Sequence, residues 1–299
     1  MCDEVGAVIT DLQSLIDPLT EGQFLMLLRE RKLTFLPGSN SRRFEGLLNW
    51  EALNHLLDGT IYPLQHLRVL RESIRIPRIV YIKQDRVSSR ALSNLLEQGV
   101  SLMFNQLEKH VPPLRVLCKN IARHTLEQIS VAAVVTSGPG GALKCHCDPE
   151  DLVILQVAGT KLWQVFGPSA VAGRPPEGPL VFDRVLQPGD FLFLPSGYWH
   201  HCENGPHRSL HLSILFDPPN GQHLMATLAS RLLSDEIFRR PLTRHSNPET
   251  LATHEAALKA HLVDSIQAIS LPRFLTERAI SCSIEGIHLE GQTDQAHDA

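Results

Sequence analysis

Lys144-Cys145-His146-Cys147-Asp148 and, further on, Leu186-Gln187-Pro188-Gly189-Asp190-Phe191-Leu192-Phe193-Leu194-Pro195-Ser196-Gly197-Tyr198-Trp199-His200 decide how this chain is read. Alternate residues of a strand share a face, so His146 and Asp148 point one way and Cys147 the other. In the second stretch a Pro-Gly turn opens a run of bulky apolar residues. Another turn follows at Pro195 and Gly197, and His200 starts the next strand. Two imidazoles and a carboxylate form the facial set that suits Fe(II) and leaves three coordination positions open. With 15 histidines in the chain, a His-x-Asp triplet alone is weak evidence. The downstream turn-strand-turn-His element is what lifts it. His201 faces the opposite side and becomes the ligand only if the strand register slips by one residue.

Residues 127–216 are short β-rich runs punctuated by Gly and Pro: 129–136, 151–157, 161–166, 181–186, 190–194, 200–203 and 208–216. Only Ala158-Gly159-Thr160 separates the second from the third, which predicts a hairpin. Seven short strands at such spacing predict a barrel or sandwich. Upstream, apolar residues at helical spacing predict helices around Leu12–Ile16, Phe24–Leu28 and Trp50–Leu57, then over 88–98, 102–110 and 114–124, with a brief strand at 79–82. Pro112-Pro113 reads as a break between the last two helices. Downstream of Pro218, Leu224, Leu228 and Leu232, then Leu251, Leu258, Leu262 and Ile266, mark helices that pack on one another. The expected organisation is a helical region over 1–126 supporting a β-barrel core over 127–217, then a helical region over 218–299. The polar tail from about Gly291 is expected to be disordered.

Composition narrows the function. Apolar residues make up 43% of the 299 residues, enough for a sizeable core, and the net charge is −4, which speaks against a binder held by overall phosphate attraction. A local basic patch remains open. Cys2, Cys118, Cys145, Cys147, Cys202 and Cys282 form no CxxC pair, so no zinc knuckle is expected. No basic segment followed by an apolar run opens the chain, and no apolar stretch reaches membrane-spanning length. The expectation is a reduced cytoplasmic protein with no membrane contact and no direct nucleic-acid partner.

At this point the residues resemble a family. His146-Cys147-Asp148 together with Leu155-Gln156-Val157-Ala158-Gly159-Thr160-Lys161-Leu162-Trp163-Gln164-Val165 resembles the core of JmjC-type oxygenases, above all their ribosomal-oxygenase (cupin-4) branch. The PGD–LPxGxxH element and Leu102-Met103-Phe104-Asn105-Gln106-Leu107 are similar to the same group, and the likeness covers most of 30–270. It implies a double-stranded β-helix of the jelly-roll or cupin type, with a helical leader and a helical C-terminal dimerisation region. It also implies Fe(II) held by His146, Asp148 and His200, and 2-oxoglutarate as cosubstrate. Lys161, fifteen residues after His146, falls where the family places the cation that pairs with the distal carboxylate. Asn105 matches a recurring pocket asparagine.

Other residues are weighed on pattern. His211 and Ser213 alternate with Leu210, Leu212 and Ile214, so both can face the interior. Ser213 is then a candidate hydrogen-bond partner of the cosubstrate and His211 a satisfied core residue. Tyr81 is a further candidate for reaching the site. Cys145 and Cys147 stand where the family more often carries bulky residues, and are read as passive small hydrophobes. About 80 residues follow Phe216, room for dimerising helices but not for the winged helix of the ribosomal group. The expected activity is hydroxylation of a peptide or protein side chain by a homodimer, with succinate and CO2 as coproducts. The alternatives are a biosynthetic precursor peptide or small molecule as substrate, an N-methyl-lysine demethylase, a cupin metalloenzyme that does not use 2-oxoglutarate, and a catalytically silent binding module.

Overall fold

A computed structural model describes residues 9–58, 62–84, 86–138, 143–169, 173–205, 207–242 and 247–284, and the chain divides into two units at Asp217 and Pro218. In the first unit the order is α1 (Leu12–Ile16), α2 (Glu21–Glu30), β1 (Thr34–Leu36), α3 (Trp50–Asp58), β2 (Leu67–Arg71), β3 (Ile74–Arg75), β4 (Ile82–Lys83), β5 (Arg86–Val87), α4 (Ser89–Glu97), β6 (Ser101–Phe104) and α5 (Pro112–Thr125). Then come β7 (Gln128–Thr136), β8 (Asp151–Ala158), β9 (Lys161–Pro168), β10 (Phe182–Leu186), β11 (Phe191–Leu194), β12 (Tyr198–Asn204) and β13 (Ser209–Asp217). Local chemistry sets the helix starts. Thr20 and Gln23 form a reciprocal capping box before α2. Pro112 and Pro113 occupy the first positions of α5, where a missing N–H costs nothing, so the pair begins that helix rather than breaking one.

Two antiparallel sheets carry the unit. The larger has the order β1-β11-β8-β13-β7-β6-β2-β3 and the smaller β10-β9-β12. Alternation along the strands gives the larger sheet two buried faces. Its outer face sends Val131, Ala133, Val153, Leu155, Leu212 and Ile214 into a core shared with α1, α2 and α5. There Phe24 of α2 sits edge-on to Phe193 at 5.8 Å and against Phe216 at 5.7 Å. The inner face contributes Leu152, Ile154, Leu192 and Leu194, which meet Trp163, Val165, Phe182 and Leu186 of the smaller sheet. Each such side chain stabilises the fold by about 1.5–3 kcal/mol when fully buried. This is a mainly antiparallel architecture with helices, consistent with the jelly roll.

Several local expectations are corrected. The 151–157 and 161–166 runs are not a hairpin: β8 pairs with β11 and β13, whereas β9 pairs with β10 and β12. The chain crosses between sheets at Gly159, whose φ of +65° and whose approach to the Arg208 carbonyl (2.1 Å from where a Cβ would stand) only glycine accommodates. The helix expected over 102–110 is β6 followed by a 3-10 turn at Leu107–Lys109, and the strand expected at 79–82 is mostly a 3-10 turn at Arg78–Val80. The Pro188-Gly189 turn is as expected. Gly189 adopts φ +93°, and the carboxylate of Asp190 accepts hydrogen bonds from the Gly38 and Gln187 N–H groups at 2.7 and 2.8 Å.

The second unit contains α6 (Gly221–Leu232), α7 (Glu236–Arg239), α8 (Pro248–Gln267) and α9 (Leu271–Ile284). Asn220 and Asn247 cap α6 and α8, and Arg231 pairs with Glu277 between α6 and α9. The tail from Gly291 lies outside the described residues. Among the described residues, no helix is long and apolar enough to cross a membrane.

Candidate metal centre

His146 and Asp148 lie on no regular strand, contrary to expectation. The segment is held instead by a single antiparallel bridge, in which His146 N–H donates to the His200 carbonyl at 3.1 Å and His200 N–H donates back at 2.8 Å. Gly197 N–H donates to the Asp148 carbonyl at 2.8 Å, fixing the backbone of the third residue. The two far-separated motifs are thus joined by three main-chain hydrogen bonds before any side chain is considered.

The side chains converge. Asp148 Oδ2 lies 3.8 Å from His146 Nε2 and 3.6 Å from His200 Nε2, and the three donor atoms are all within 4.8 Å of one another. The other ring nitrogen of each histidine faces a carbonyl two residues earlier: His146 Nδ1 to Lys144 at 2.8 Å and His200 Nδ1 to Tyr198 at 3.0 Å. A carbonyl only accepts, so each Nδ1 carries the proton and each Nε2 offers its lone pair to a metal. Burial first, then the neighbouring His146, depress the pKa of His200 and keep the ring neutral. Two neutral imidazoles and one carboxylate form a donor set that can hold a divalent first-row metal.

The register question closes on β12. A bulge between Trp199 and His200 shifts its pairing with β9, so that His200, Cys202 and Asn204 stand opposite Val165, Trp163 and Lys161. His200 is 3% exposed, while His201 faces outward toward Glu203 at 3.8 Å. Trp163 stacks on His200 at 5.7 Å and meets His211 edge-on at 5.4 Å. Lys161 is 4% exposed and has no acidic partner among the described residues. Burial lowers its pKa, against a smaller raising influence from Cys202. Burial likewise pushes the Cys202 thiol up to about 12.

The remaining candidates separate. His211 is buried, its Nδ1 has no hydrogen-bond partner among the described residues, and burial together with Lys161 and His200 holds its pKa well below the ordinary value. Ser213 is half-buried on the same face of β13 two residues on. Asn105 is engaged elsewhere: its Nδ2 donates to the His66 carbonyl at 2.9 Å. Tyr81 is fully buried in the larger core and is not among the side chains that converge on the metal cluster. Cys145 and Cys147 are half-buried free thiols. Sequence reasoning passed over Trp163, Cys202 and Asn204. Stepping by two along β12 from His200 reaches the last two.

Residues 111–224 match the JmjC domain family. Those residues carry a JmjC domain, and the chain is ribosomal-oxygenase-like in sequence and fold. The JmjC chain is 25% identical over 288 residues to YxbC, an uncharacterised protein of Bacillus subtilis, covering 87% of this chain and 86% of YxbC. It is 26% identical over 250 residues to ribosomal oxygenase 1 of Rattus norvegicus, covering 77% of this chain and 42% of that protein. Ribosomal oxygenase 2 of Mus musculus is 24% identical over 215 residues, covering 68% of this chain and 46% of its own length. The JmjC chain therefore spans less than half of either ribosomal oxygenase. Among solved structures, YcfD, a ribosomal oxygenase from Escherichia coli in complex with cobalt and 2-oxoglutarate, shares the fold. The TM-score is 0.56 at 18% identity, over 87% of this chain and 70% of that one.

Proposed function

We propose that this chain is an Fe(II)- and 2-oxoglutarate-dependent hydroxylase of a peptide or protein side chain. In this reading His146, Asp148 and His200 are the metal ligands and Lys161 is the anchor for the distal carboxylate. One observation carries it: a buried lysine without an acidic partner among the described residues lies on the inner face that also carries a three-donor metal cluster. A buried ammonium is costly unless paired, and a dicarboxylate cosubstrate supplies the missing charge through charge-assisted hydrogen bonds. The cobalt and 2-oxoglutarate complex of YcfD supports the same cofactor pair.

When bound, iron and 2-oxoglutarate supply dioxygen activation and, through decarboxylation to succinate and CO2, the oxidising equivalents for inserting oxygen into a C–H bond. The protein's residues do the rest. His146 and His200 keep their protons on Nδ1, so their Nε2 atoms remain available throughout. Trp163 covers one face of His200 and excludes water there. Ser213 offers a hydroxyl on the cosubstrate side, and Asn105 braces the end of β6. The testing experiment is iron-dependent succinate formation with candidate peptides, followed by mass spectrometry. A gain of one oxygen supports hydroxylation, whereas release of formaldehyde points to demethylation. Failure of the wild-type chain to bind 2-oxoglutarate would instead make this a cupin enzyme that does not use it.

The second unit enters the proposal as a homodimerisation region. Met225, Leu233, Val263, Ile266 and Leu271 are each between 49% and 68% exposed, apolar surface that a partner copy would cover. A single-chain mass by light scattering would remove this part.

A further inference from the structure

The stretch 68–86 carries Arg68, Arg71, Arg75, Arg78, Lys83 and Arg86 against only Glu72 and Asp85, in a chain whose net charge is −4. All six cations are exposed, and none is in an ion pair with a described acidic residue. Arg71 donates to Gln98 at 3.0 Å, and Arg75 and Arg78 lie near the Tyr81 hydroxyl. Interleaved with them are Ile74, Ile79 and Val80, exposed to 68%, 87% and 45%. Aliphatic side chains left in water beside cations that no described carboxylate pairs with are an unusual surface, and one that specifies a complementary partner.

Its location relates it to the metal centre. Ser73, in the turn between β2 and β3, accepts a hydrogen bond from Lys144 N–H at 3.0 Å, and the Lys144 carbonyl accepts from His146 at 2.8 Å. The sheet register gives a second link. Arg68 stands opposite Met103, Met103 opposite Val134, and Val134 opposite His211, one row along one face of the larger sheet. That is the face that carries Ser213. Three strand spacings put Arg68 roughly 14 Å from the His211 position, a distance that an extended peptide covers in about four or five residues.

Resting on the hydroxylase reading, we propose that this surface selects the substrate: a polypeptide segment with Asp or Glu and aliphatic residues some four to six positions from the modified side chain. RNA fits less well. Single-stranded RNA is held largely by stacking on exposed aromatic rings, and the aromatic residue of this stretch, Tyr81, is fully buried.

The test is fluorescence anisotropy on the full chain. The probe is a labelled peptide of about fourteen residues pairing Asp and Glu with Val and Leu. It is compared with a lysine-rich peptide of equal length and a uridine-rich RNA of equal charge. The acidic peptide is expected to bind wild type, and to lose at least tenfold in the Arg68→Ser, Arg75→Ser, Arg78→Ser triple variant. It should also weaken between roughly 50 and 200 mM salt, as exposed charges do. Equal binding by the triple variant overturns the proposal, as does tighter binding of the RNA or of the lysine-rich peptide. Since binding is read without turnover, a failure to convert 2-oxoglutarate counts against the hydroxylase reading alone.

Discussion

Lys161 and Asn204 stand directly opposite each other on β9 and β12, and both atoms of the Asn204 amide are buried without a hydrogen-bond partner among the described residues. A buried cation facing an unsatisfied amide is a poor arrangement for stability and a good one for receiving a carboxylate, which can accept from both groups at once.

Lys161→Met is therefore expected to separate stability from function. Removing a buried cation that lacks an acidic partner among the described residues should raise stability by about 1–3 kcal/mol, since a well-packed apolar side chain of similar volume is usually tolerated or better. The same change should weaken 2-oxoglutarate binding by on the order of 100-fold, matching the loss of a charge-assisted pair. Chemical denaturation and titration calorimetry read the two effects. A destabilised variant with unaltered affinity would remove Lys161 from the anchoring role.

Neighbouring histidines offer a sharper contrast. His200→Ala deletes a donor whose Nε2 faces Asp148, and His201→Ala deletes an outward ring beside Glu203. The first should abolish Fe(II) binding by equilibrium dialysis. The second should leave it within about fivefold, because exposed ion pairs contribute at most roughly 1 kcal/mol. Equal losses in both would mean that the bulge before His200 does not hold in solution.

The strand set was legible because Gly and Pro punctuate it, and the metal residues because His-x-Asp and the distant His200 fall at the right places in that punctuation. What the strands pair with was not legible. The 151–157 and 161–166 runs have the spacing of a hairpin, and nothing local says that Gly159 carries the chain into another sheet. Leu102, Met103 and Leu107 fit a helical spacing, but Leu102–Phe104 lies between β2 and β7 and takes the extended form from its neighbours. The inward turn of His200 depends on a bulge, a property of two strands together. The burial of Lys161 follows from the same pairing.

The crossing glycine can be tested directly. Gly159→Ala would place a Cβ 2.1 Å from the Arg208 carbonyl at a φ of +65°. Backbone strain of that kind costs of order 1–3 kcal/mol, and the steric overlap adds to it. Since Lys161 lies two residues on, 2-oxoglutarate affinity should fall along with the thermal midpoint. An alanine variant as stable as wild type would mean that the connection has room the structure does not show.

Acidity should act through one end of the larger sheet. Glu127, just before β7, is raised to about 7, first by burial and then by the charges of Asp151 and Asp217. Its folded-state pKa lies above the unfolded value near 4.3, so the folded chain binds the extra proton between the two. Stability from this group is therefore fully present below about pH 4.3 and is lost as pH rises through about 7. Glu127→Gln, which cannot ionise, should be more stable than wild type at pH 8 by on the order of 1–2 kcal/mol and close to it at about pH 4. Urea midpoints across that range decide the matter. A constant difference between the two proteins, at every pH, would show that Glu127 does not titrate there.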